Sequence, residues 1–116
     1  MNKSFYNVAI AVPIRQTFTY HSNQEIIPGT RVAVKFGKTN KLGVVIEAVS
    51  DSDIKTKSIH MVLDDGPVFS KTELKIFKWA SNYYLHPIGE VVISFLPTHL
   101  RQTKNTFEVS ILNDNK

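Results

Sequence analysis

The sequence contains no cysteine. Disulfides, thiolate zinc sites and thiol nucleophiles are therefore excluded as explanations of its fold or function. It also lacks any apolar run near the roughly 20 residues of a membrane-spanning helix, so no membrane partner is expected. The opening stretch, MNKSFYNVAIAVPIRQTF, is cut short by Pro13 and Arg15. No small-residue cleavage site follows, which argues against a signal peptide and for a cytoplasmic location. There is no internal repeat and no low-complexity segment. Among His21, His60, His86 and His99, no pair has the i, i+4 spacing of a helical metal site, so no metal is expected. His60 reads as a structural or surface residue in a strand. There is no G-x-S-x-G elbow. Asp64-Asp65-Gly66, ahead of Pro67, reads as a turn and not as a catalytic acid pair. The chain is not expected to be an enzyme.

What is present is a basic first half. The net charge is +4 over 116 residues, a length that suits one domain. Residues 1–57 hold eight Lys or Arg against four acids, while residues 58–116 hold six of each. A polyanion partner is one reading of this excess; a solvated basic surface is the other.

The stretch FGKTNKLGVVIE, residues 36–47, contains a Gly-Lys-Thr like that of nucleotide-binding loops. A phosphate-binding loop needs a glycine five residues before the second one and a helix after it. Val32 occupies the first position, and the chain continues into Val44-Val45-Ile46, a β-branched run. The segment is instead a hairpin tip over 37–41, with Gly37 and Asn40 supplying the permissive backbone.

Apolar alternation predicts strands over 5–12, 17–21, 30–36, 42–49 and 58–63. Five short strands suggest a mainly antiparallel barrel-like sheet, SH3-like or OB-like, and strand count does not choose between the two. The period then changes. Ser70-Lys71-Thr72-Glu73 is a capping box. Leu74, Ile76, Phe77, Ala80, Tyr83 and Tyr84 follow with lysines between them, predicting an amphipathic helix over 71–85 that covers the sheet. Pro87 and Gly89 end it. Residues 88–96 fit strand or helix. The fold class is α+β, a small barrel-like sheet followed by one or two covering helices. The domain spans residues 1–101, with 102–116 a linker or tail carrying a further strand pattern at 106–112.

Phe18 and Tyr20 share one strand face, Lys35, Lys38 and Lys41 crowd one hairpin, and Lys55 and Lys57 line a loop. Rings that stack on bases and cations that follow phosphates are what single-stranded nucleic acid requires. The competing reading makes the rings core and the lysines a solvated rim.

Four blocks carry a resemblance: VAIAVPIRQTFTY, PGTRVAVKFGKTNKLGVVIE, VLDDGPVF and WASNYYLHPIGEVVISFLPTHLR. From about Val8 to Arg101 the chain resembles the N-terminal 3′-DNA-end-binding domain of the PriA family, the primosomal, replication-restart helicases. The resemblance implies a module that recognises the 3′ end of a nascent strand at a stalled fork. Its implied partners are DNA with forked or single-stranded 3′ ends, the remaining domains of a parent helicase, and primosome and single-strand-binding proteins. No cofactor is implied for this part; ATP, magnesium and zinc belong to the helicase part. A helix over 88–95 is implied as well. The family's aromatic–acid–aromatic triplet falls on Phe18-Thr19-Tyr20, with threonine in place of the acid. Phe18 or Tyr20 would stack on a base and Thr19 would probe the terminus. Gly37 and Lys38 would hold the sugar–phosphate, with Lys57 a phosphate or terminal-nucleotide contact. Asp51 or Asp53 is a candidate to replace the missing acid. The alternative is a protein-interaction or scaffolding module that binds a peptide or braces the helicase lobes.

Overall fold

A computed structural model describes residues 3–50 and 55–101. Its element order is β1 (Ser4–Ile10), β2 (Phe18–Ser22), β3 (Arg31–Phe36), β4 (Thr39–Val49), β5 (Lys57–Ser58), β6 (Met61–Val62), α1 (Lys71–Tyr84), α2 (Ile88–Ser94) and α3 (Thr98–Arg101). The strands form one curled sheet in the order β5-β2-β1-β4-β3-β6. All pairings are antiparallel except β2 with β5. The α+β class and the barrel-like sheet with covering helices are as the sequence indicates.

The strand expected over 58–63 is two strands. Lys57 and Ser58 pair with β2 at one edge of the sheet; Met61 and Val62 pair with β3 at the other. Consecutive amides between them reach opposite edges: Ile59 N donates to His21 O at 2.8 Å, and His60 N donates to Ala33 O at 2.9 Å. One short segment thus clasps the two sheet edges and curls the sheet into a half-barrel. His60 lies between the two strands and not within one.

Strand alternation sorts the apolar residues onto two sides. Tyr6, Val8, Ile10, Tyr20, Val32, Val34 and Val45 fill the barrel interior. Leu42, Val44 and Ile46 point outward and are buried by Leu74, Phe77, Ile88 and Val92 of the helices. β4 is therefore buried on both faces, which explains why LGVVI is an unbroken apolar run. Gly43 is needed there, because a Cβ would meet Val8 Cγ1 at 2.5 Å.

A register shift falls between Asn7 and Val8, where Asn7 pairs with Glu47 but Val8 with Val45. Ile46 is the extra residue, and this bulge directs both Ile46 and Glu47 toward the helix side. The β3–β4 hairpin is tighter than the five-residue tip expected. Phe36 pairs with Thr39, Gly37 has φ +66°, and Asn40 and Lys41 are strand residues paired with Lys35 and Val34. A positive-φ glycine at the first of two loop positions is a favoured hairpin solution, because its twist matches the strands.

α1 begins at the expected box. Ser70 Oγ accepts from Glu73 N at 3.1 Å, and Glu73 Oε1 accepts from Ser70 N at 2.8 Å. Its last turn closes on Leu85, a non-glycine residue at φ 56°. Residues 88–94 are helical, settling the segment whose pattern fits both states. They pack so closely on β1 that a Cβ on Gly89 would lie 1.6 Å from Ile10 O. Arg31 is buried beneath this end of the fold. Its Nη2 and Nε donate to Asp64 Oδ1 and Oδ2 at 2.7 and 2.9 Å, and its Nη1 donates to Leu100 O at 3.2 Å. One cation counted in the basic first half is thus neutralised inside. The strand pattern at 106–112 and the tail from 102 lie outside the described residues.

Candidate nucleic-acid interface

Where β2, the β3–β4 hairpin and the start of β5 meet, the surface opens into a cleft of about 380 Å³. That volume lies in the range of small-ligand sites, roughly 300–1,000 Å³. Five of the six residues singled out in the sequence line it: Phe18, Thr19, Tyr20, Gly37 and Lys57. They come from three elements up to 39 positions apart, joined by the pairing of Tyr20 with Lys57. Lys38 does not line it; the two-residue loop leaves Lys38 exposed at the hairpin tip.

Lys35 and Lys55 line the cleft beside Lys57. Both lysines belong to the basic set in the sequence, and the resemblance assigns neither of them a role. Lys55 shares a loop with Lys57, and Lys35 sits next to the Phe36-Gly37 pair, so proximity was the available signal. Among the described residues the lining holds three lysines and no carboxylate, which makes the cleft attractive to anions. The 55–57 segment is fastened from below by the 2.7 Å hydrogen bond between His21 Nδ1 and Thr56 Oγ1.

The two rings differ in availability. Tyr20 is 5% exposed, within the barrel interior. Its hydroxyl donates to Lys35 O at 2.8 Å, and burial raises its pKa above 10.0. It forms the floor of the cleft and offers no free face for stacking. Phe18 is half-buried and meets Phe36 edge to face, with centroids 4.9 Å apart. This ring pair forms the apolar wall. Nothing lies within 4 Å of where a Cβ on Gly37 would stand, so the space before the hairpin is open.

Thr19 alternates to the outer face. Its hydroxyl donates to Asn7 Oδ1 at 2.9 Å, and Asn7 Nδ2 donates to Glu47 Oε2 at 2.9 Å. The Thr19 proton is therefore committed, while its oxygen can still accept. The carboxylate connected to Thr19 is Glu47, placed by the β4 bulge. Asp51 and Asp53 lie outside the described residues. Among the described residues no cluster of three or more acidic or histidine side chains could hold a metal. No described helix is long and apolar enough to cross a membrane.

The architecture defines a small half-barrel module with a lysine-rimmed, ring-walled cleft at one edge. Residues 7–97 match the family of the PriA 3′ DNA-binding domain (3′BD), and the chain belongs to that family. It is 34% identical over 99 residues to the replication restart protein PriA of Haemophilus influenzae, covering 81% of this chain and 14% of that protein. Against the replication restart protein PriA of Buchnera aphidicola subsp. Schizaphis graminum it is 30% identical over 100 residues, covering 82% and 14%. Against that of Treponema pallidum it is 27% identical over 103 residues, covering 78% and 16%. The chain thus spans about 14–16% of the length of these relatives.

Proposed function

We propose that the cleft binds DNA in replication restart, and that it receives the 3′ terminus of a strand. The observation that carries this reading is the cleft itself: Lys35, Lys55 and Lys57 around the Phe18–Phe36 wall, with an open space before Gly37. In it, the terminal base lies against Phe18 with Tyr20 as the floor. The lysines neutralise phosphate, the Gly37 backbone lets the sugar approach, and the Thr19 oxygen accepts from a terminal hydroxyl. Lys38, at the tip, meets the strand outside the cleft. Recognition is the whole task and no bond is broken. ATP, magnesium and zinc go with the helicase part that the family resemblance implies, and the primosome and single-strand-binding proteins are partners of that larger protein in the cytoplasm. One cleft with few phosphate contacts gives modest affinity alone, raised by effective concentration when other domains hold the same fork.

The test is fluorescence anisotropy with two short single strands, identical except for a 3′-hydroxyl or a 3′-phosphate end, at low and moderate salt. Tighter binding of the hydroxyl end is expected. Equal binding would reduce the reading to backbone binding by the lysines. Binding of neither strand would return the function to a peptide-binding or scaffolding module.

A further inference from the structure

Thr19, Asn7 and Glu47 stand in one row across three neighbouring strands. Asn7 of β1 pairs with Thr19 of β2 on one side and with Glu47 of β4 on the other. The row exists because of the β4 bulge. Val45 pairs with Val8, so an unbroken register would set Ile46 opposite Asn7 and turn Glu47 toward the barrel interior. The extra residue instead brings a carboxylate into line with the amide and the hydroxyl. All three residues are partly exposed.

The row has a fixed polarity. A carboxylate only accepts hydrogen bonds, whereas an amide has a donating end and an accepting end. Glu47 Oε1 faces Lys78 Nζ at 3.6 Å, and Glu47 Oε2 accepts from Asn7 Nδ2 at 2.9 Å. That contact points the Asn7 nitrogen at Glu47 and leaves Oδ1 for Thr19, whose hydroxyl donates to it at 2.9 Å. The reverse arrangement would set the Asn7 oxygen against the carboxylate, two acceptors with no proton between them. With its proton held by Asn7, Thr19 can meet a ligand in the cleft it lines only as an acceptor. An unrestrained threonine would donate or accept as its ligand required.

We propose that Asn7 and Glu47 are positioning residues that set the selectivity of the cleft. They hold the Thr19 hydroxyl as an acceptor, so that the cleft prefers a strand end that donates, a 3′-hydroxyl, to one that only accepts, a 3′-phosphate. The inference rests on the terminal reading of the cleft, and neither residue touches DNA in it. The acid that the family resemblance puts at position 19 is acceptor-only by nature. Here that property reaches Thr19 from a carboxylate two strands away.

The test measures the Kd of three short single strands on the full chain, alike except for a 3′-hydroxyl, a 3′-deoxy or a 3′-phosphate end. The deoxy end neither donates nor accepts. A change common to all three strands therefore reports charge or folding, and the hydroxyl-over-phosphate preference reports polarity. Asn7→Ala leaves net charge unchanged. It is expected to lower that preference roughly two- to tenfold, the weight of about one hydrogen bond, chiefly by tightening the phosphate end, to which a freed Thr19 can donate. Glu47→Gln lets the row run in either direction and is expected to lower the preference part-way. Asn7→Asp keeps an acceptor for the Thr19 proton and is expected to keep the preference. A preference that persists undiminished in Asn7→Ala, or in Glu47→Gln should Asn7→Ala not fold, would overturn the relay and leave the terminal reading standing. A loss in Asn7→Asp as large as in Asn7→Ala would also overturn it, since bracing of the sheet would then suffice. An unsubstituted chain with no preference for the hydroxyl end would overturn the terminal reading and the relay with it.

Discussion

The Tyr20 hydroxyl donates to the carbonyl of Lys35 at 2.8 Å, joining β2 to β3 although two strands, β1 and β4, lie between them in the sheet. This is a bond across the interior of the curled sheet, at the floor of the cleft. It holds the strand bearing Phe18 at a fixed distance from the hairpin bearing Gly37.

Tyr20 makes the domain sensitive to alkali. Burial raises its folded pKa above the ordinary 10.0. Once pH passes about 10 the unfolded chain releases this proton and the folded chain retains it, so stability falls as pH rises from there toward the folded pKa. Below pH 10 both states keep the proton and the group contributes no slope. Tyr20→Phe is expected to abolish that part of the alkaline loss, at a cost of about 1 kcal/mol near neutral pH for the lost hydrogen bond. Urea titrations at pH 7 and at steps above 10 check both.

Lys57→Ala and Lys35→Ala are expected to weaken binding of single-stranded DNA, each lowering the log–log salt slope by about 0.7. Both residues are exposed, so unfolding free energy should stay within about 0.5 kcal/mol of the parent. Anisotropy beside thermal melts would separate the two quantities. A variant that loses binding only because it unfolds would count against the assignment.

Arg31 belongs to the opposite category. Its side chain is 7% exposed and held by Asp64. Asp64→Ala leaves a buried guanidinium without its counter-charge and is expected to destabilise the fold by roughly 3 kcal/mol. The fraction that remains folded should bind DNA as before. Chemical denaturation and binding measured on one preparation test this pair of outcomes.

Leu85 closes α1 at φ 56° with its side chain 65% exposed. A β-carbon in the left-handed region is unfavourable, and glycine removes the penalty. Leu85→Gly is therefore expected to raise stability by about 0.5–1 kcal/mol, read as a higher melting temperature.

The parts of the fold legible in the sequence are those fixed by neighbours along the chain. The capping box at Ser70 needs four consecutive residues, and the Gly37 hairpin needs its flanking strands. Alternation placed Phe18 and Tyr20 on one face. It did not reveal that this face closes on itself, because the closure depends on His60 reaching Ala33 and Tyr20 reaching Lys35. The split of 58–63 was hidden for the same reason, since two-residue strands have no period. Lys35 and Lys55 enter the cleft through folding, while Lys38, the lysine of the suggestive Gly-Lys-Thr, stays outside. The outward aim of Glu47 follows from one extra residue at Ile46, and no local pattern marks a bulge within so apolar a run.

The clasp over 57–62 has a thermodynamic consequence. Lys57, which rims the cleft, is also the first residue of the segment that fastens the two edges of the sheet. An anion bound by Lys57 therefore stabilises only the shut form, and every opening of the barrel dismantles the site. Ligand at free concentration L therefore raises the free energy of barrel opening by RT ln(1 + L/Kd), which is read as added protection of the Ile59 and His60 amides from hydrogen exchange.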